Sequence, residues 1–82
     1  MEEELPISEK IKPIESVTLY KTGKWWAAIV LLESFGRKQI AFYLWLKSND
    51  KWKRKQKFVI RTKEEWEKIK EIVDNLISKL ST

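Results

Sequence analysis

Between Tyr43 and Arg61 the chain interleaves rings and cations. Tyr43 and Trp45 precede a Ser48-Asn49-Asp50 turn, and Lys51, Lys53, Lys55 and Lys57 recur at every second position after it. In an extended chain alternate residues share one side of a sheet, so the four lysines project together. Flat rings stack on unpaired bases while ammonium groups neutralise phosphates, and the combination is the chemistry of a surface for single-stranded nucleic acid. Lysines alone would equally guard an edge strand against aggregation. The two rings tip the balance, because large apolar groups on an open sheet face gain no packing unless something covers them.

The composition removes most competing chemistries. With no histidine and no cysteine among 82 residues, the usual general base, nucleophile and soft metal ligands are missing, and a disulfide framework is excluded. No paired carboxylate occupies the candidate face, so the reading expects no enzyme, cofactor, metal site or small-molecule substrate. No apolar run approaches the roughly 20 residues of a membrane span. Glu2, Glu3 and Glu4 stand where a signal peptide would carry cations, which predicts a cytoplasmic protein. Abundant Lys, Glu and Ile with two Asn and two Gln resemble the usage of a hyperthermophile, archaeal organisms included.

The net charge of +5 is unevenly spread. Residues 1–15 carry five acids against two bases, residues 16–61 eleven bases against two acids, and residues 62–82 four bases against five acids. A middle segment so enriched in cations points to a polyanionic partner.

The elements that must position these groups are legible from period and punctuation. Residues 1–13 are acidic, contain Pro6 and Pro13 and show no sustained periodicity, which predicts a flexible arm ahead of one domain at 14–82. Extended segments at about 14–20, 25–32, 38–46 and 52–60 are separated by turn-rich stretches, predicting an antiparallel meander. Trp66, Ile69, Val73, Leu76 and Leu80 then recur at spacings of three and four, the mark of a helix over about 63–80. Thr62 and Glu65 have the spacing of a capping box. The expected fold class is α+β: a curved four-stranded antiparallel sheet followed by one C-terminal helix packed on one face.

Strand parity assigns the faces. Ile40, Phe42, Leu44 and Leu46 point toward the helix, and Tyr43, Trp45 and Lys47 away from it. A four-residue connection at 33–36 would pair Ile29 with Ile40 and Trp26 with Tyr43, leaving Trp26 on the open face. On the last strand, Trp45 beside Lys53 and Tyr43 beside Lys55 would set rings against cations; Trp52, Arg54 and Gln56 would then turn toward the helix, so that either the hairpin extends past the helix into solvent or a bulge shifts the strand. Trp25, Trp52 and Trp66 are expected in the core. Phe35, in a turn beside Gly36, Arg37 and Lys38, either folds over the core edge or stacks on a base.

From Trp45 onward the chain resembles the DNA-binding domain of transcriptional coactivators of the positive-cofactor-four type, whose fold is similar to that of the whirly single-strand-binding proteins. The shared features are an aromatic pair ending in Trp45, a turn, a basic strand, Glu65-Trp66 opening a helix, Lys70-Glu71 and Lys79-Leu80. Without gaps, Trp45 falls on the stacking tryptophan of that family and Lys53 and Lys57 on its basic positions. Phe35-Gly36-Arg37-Lys38 is similar to its aromatic, glycine and basic turn after a two-residue shift. Gln56 replaces a basic residue, and Lys55, Arg54 and Phe58 replace the glycine and proline of its basic strand. A looser similarity is to archaeal single-strand-binding proteins that are not OB-folds.

The resemblance implies a homodimer that binds single-stranded DNA or RNA with little sequence preference, in transcription or genome maintenance. Trp26, Phe35, Tyr43 and Trp45 would meet bases; Arg37, Lys38, Lys47, Lys53, Lys55 and Lys57 would meet phosphates. The competing expectation is an interaction module that binds an acidic peptide or subunit. Double-stranded ligands fit poorly, because a ring cannot stack on a base already stacked in a duplex.

Overall fold

The computed structural model describes residues 5–81 and bears out the α+β expectation. Strands β1 (Lys12–Lys21), β2 (Trp25–Ser34), β3 (Arg37–Ser48) and β4 (Lys51–Ile60) form one open sheet in the order β1-β2-β3-β4, every neighbour antiparallel. Helix α1 (Lys63–Leu76) follows and tightens into a 3₁₀ turn, Ile77–Ser81. No helix among the described residues is long and apolar enough to cross a membrane.

Local chemistry sets each corner. At the first, the Thr22 hydroxyl accepts from the backbone N–H groups of Trp25 (2.9 Å) and Lys24 (3.2 Å), while the Thr22 N–H donates to the Trp25 carbonyl at 2.7 Å. The next two corners are two-residue turns with both central residues at positive φ, Phe35 (54°) with Gly36 (75°) and Asn49 (53°) with Asp50 (64°). Such primed turns match the twist of a hairpin. Thr62 caps α1 by accepting from the Glu65 N–H at 3.1 Å, and the Glu65 carboxylate reaches back to the Arg61 N–H at 2.9 Å.

The turn at Phe35-Gly36 sets the β2–β3 register at Trp26 opposite Trp45, Ala28 opposite Tyr43 and Ile29 opposite Phe42. This is a slip of two residues from the expected pairing, so the faces keep their membership. Trp26, Ala28, Val30 and Leu32 share one face with Ala41, Tyr43 and Trp45; Ile29 and Leu31 share the other with Ile40, Phe42 and the helix.

The burial of the two faces is the reverse of expectation. The face away from the helix is the core: Trp45, Val30, Ala28 and Ala41 are wholly buried, and Trp26 and Tyr43 nearly so. Its cover is the N-terminal segment, whose Leu5, Ile7 and Ile11 pack against the cluster. Residues 5–11 therefore lie on the sheet rather than forming a free arm, and β1 begins within the expected arm, at Lys12. The helix-side face is the more open one. Phe58 and Ile40 are exposed there, α1 has no buried residue, and Trp66, expected in the core, is 41% exposed. Trp66 instead walls an open apolar groove with Ile29, Ile40, Phe42 and Ile60.

Candidate nucleic-acid interface

Four rings gather on the buried face. Trp45 stacks on Tyr43 with centroids 4.9 Å apart and planes 8° from parallel, Trp26 meets Trp45 at 5.0 Å, and Trp52 meets Trp26 edge-on at 5.5 Å. Offset stacked and edge-to-face pairs at these distances are favourable geometries for ring quadrupoles. The Trp26 indole N–H donates to the Thr18 hydroxyl at 3.2 Å. The Tyr43 hydroxyl and the Trp45 indole nitrogen are buried without a hydrogen-bond partner.

Cations rim the cluster. The Lys21 ammonium lies 4.0 Å from the Trp26 ring centroid and 5.9 Å from that of Trp52; Lys47 lies 5.5 Å from Trp52, and Lys57 5.4 Å from Tyr43. Each is within the roughly 6 Å over which a ring face attracts a cation. Paired residues of a ladder share a face, so Arg54, opposite Trp45, joins this side. The strand acids Glu15 and Glu33 belong to the helix side, through their pairings with Leu31 and Lys38. The ring side of the sheet thus carries cations and no strand carboxylate among the described residues.

The β3–β4 register corrects the lysine row. Between Leu44 and Trp45 the ladder slips by one residue, with Gln56 opposite Leu44 and Arg54 opposite Trp45, which leaves Lys55 as the extra residue of a bulge. Lys57 pairs with Tyr43 and stays on the ring face. Lys53 pairs with Leu46 and Lys51 with Ser48, on the helix side. Lys51, Lys53, Lys55 and Lys57 do not form one row, and the Trp45–Lys53 and Tyr43–Lys55 pairs are not made. Trp52 and Arg54 take the ring face instead of the helix face.

The remaining candidates lie at the other end of the sheet. Phe35 is 99% exposed at the tip of the β2–β3 turn. Arg37 shares the ring face by parity, whereas Lys38 pairs with Glu33 on the helix side. Eight residues separate Phe35 from Tyr43, roughly 27 Å along an extended strand. The candidates form two stations, one at Phe35 and Arg37 and one at Trp26, Tyr43, Trp45, Trp52 and Lys47.

Sequence reasoning missed Lys21 on the ring side and reached Trp52 and Arg54 there only as the outcome of a bulge it left open. The signal for the last two lay in Arg54 and Gln56, which break the alternation of β4 and mark the bulge. The signal for the cover was the unbroken apolar run Trp25–Leu32, since a strand apolar on both sides needs both sides covered. Compared with protein-family models, curated proteins and solved structures, the chain finds no match.

Proposed function

We propose that this chain binds single-stranded DNA or RNA with little sequence preference, as a cytoplasmic homodimer acting in transcription or genome maintenance. The observation that carries the reading is the ring quartet with ammonium groups of Lys21, Lys47 and Lys57 set against it, on a sheet side free of strand carboxylates among the described residues. Rings and cations together suit a strand whose bases are unpaired. Phe35 adds a second stacking station. An exposed aromatic ring in the left-handed region costs about 1–2 kcal/mol of backbone strain and gains nothing from burial, an expense that a base stacked on it would offset.

The dimer is supported by apolar surface. Ile40, Phe58, Trp66, Ile72, Leu76 and Leu80 are all exposed on the helix side or the helix itself. A short helix with no buried residue draws little stability from its own backbone, and a second copy laid over the same surface would supply the missing packing.

One observation favours a different ligand. The ring face is already covered by an apolar peptide segment of this chain, so it accepts peptide, and an acidic peptide or subunit is the second reading. Fluorescence anisotropy with labelled single-stranded DNA, single-stranded RNA, duplex DNA and an acidic peptide, each at two salt concentrations, separates them. The single-strand reading expects both single strands to bind well ahead of duplex and peptide, with affinity falling steeply with salt. Preference for the peptide, or equal binding of duplex, contradicts it.

A further inference from the structure

Residues 5–11 occupy the surface on which the proposed ligand would stack, and their attachment is of a particular kind. Among the described residues the segment's hydrogen bonds are internal: the Ile7 N–H donates to the Leu5 carbonyl (2.8 Å), the Ile11 N–H to the Ser8 carbonyl (3.0 Å) and the Lys10 N–H to the Ser8 hydroxyl (3.3 Å). Among the described residues, what joins it to the sheet is the packing of Leu5, Ile7 and Ile11, each only partly buried, against the ring cluster.

The surface under the segment is imperfectly satisfied. The Tyr43 hydroxyl and Trp45 indole N–H have no partner while covered, and a buried polar group without one forfeits the hydrogen bonds it would make with water. The covered state therefore combines a modest apolar attachment with two polar groups that gain partners on exposure. Bases and phosphates offer acceptors to both groups and flat faces to both rings.

We infer that residues 5–11 are a displaceable cover, and that single-stranded nucleic acid binds by taking their place over Trp26, Tyr43 and Trp45. The inference rests on the single-strand reading and adds a competition within the chain. Intrinsic affinity for the open face is then greater than the measured affinity by the inverse of the fraction of time the face is open.

The test compares the parent with an Ile7→Ser/Ile11→Ser variant, which loosens the cover and leaves every ring and cation of the sheet in place. Binding of labelled oligothymidylate should tighten about tenfold in the variant if the parent face is open about a tenth of the time. In the unmodified protein, oligothymidylate should also speed trypsin cleavage after Lys10, since the released segment fits a protease better than the seated one. This second measurement holds even if the variant fails to fold. Equal affinity of parent and folded variant, or cleavage slowed by the oligonucleotide, overturns the cover while leaving single-strand binding standing. No binding by either protein overturns both.

Discussion

Tyr43→Phe removes one oxygen atom from the centre of the ring cluster, and the structure fixes the sign of the effect. The Tyr43 side chain is 4% exposed, its hydroxyl is buried without a partner, and its ring stacks on Trp45 at 4.9 Å. Phenylalanine keeps the ring and its stacking while discarding the unsatisfied group. A buried unpaired polar atom costs about 1–3 kcal/mol, and the small void left by the oxygen returns part of that, so the variant should be more stable by about 1 kcal/mol. For a chain of this size that is a rise of about 4–8 °C in Tm. Guanidinium denaturation at one fixed protein concentration reads it as a higher midpoint with an unchanged slope, and the fixed concentration holds any dimerisation constant. A loss of 1 kcal/mol or more would show that the hydroxyl has a partner in the folded protein, and the frustrated covered face would go with it.

Trp45→Ala should cost about 3–5 kcal/mol, a large share of the roughly 4–12 kcal/mol expected for 82 residues, because a wholly buried ring is replaced by a cavity; thermal melts check it. Phe35→Asn, which installs the preferred residue of a primed turn before Gly36, should stabilise the hairpin by about 1 kcal/mol while weakening single-strand binding by about 1–3 kcal/mol, read by melts and anisotropy on one sample. Replacing Lys21, Lys47 and Lys57 with Gln should flatten the slope of log affinity against log salt by roughly 2, whereas Lys51→Gln/Lys53→Gln should change it far less; titrations at several salt concentrations compare the two. Sedimentation equilibrium should find a dimer for the parent, and Leu76→Lys should shift it to monomer by placing a charge in the apolar helix stripe.

The strands, the turns between them and the capped helix were readable because each is signalled locally, by alternation, by Asn49-Asp50, or by Thr62 with Glu65. Face membership in β2 and β3 was readable too, since a slip of two residues preserves parity; Trp26 stays with Tyr43 and Trp45 even though its partner is Trp45. Burial was not readable in the same way, because it depends on what lies over a face. Leu5, Ile7 and Ile11 sit among prolines and acids with no period of their own, and only their distant contact with the sheet reveals them as its cover. The lysine row failed for a neighbouring reason. One extra residue at Lys55 turns Lys53 and Lys57 to opposite sides, and a bulge is set by the match of two strands rather than by either strand alone.

The central claim is that single strands lie on the ring face, and photocrosslinking locates them directly. Oligonucleotides carrying 5-iodouracil, irradiated in complex with the unmodified protein and mapped by mass spectrometry, should attach to Tyr43, Trp45 or Trp52 at one station and to Phe35 at the other. Attachment confined to the helix and the open groove beside Trp66, with the ring face unmarked, would contradict the account.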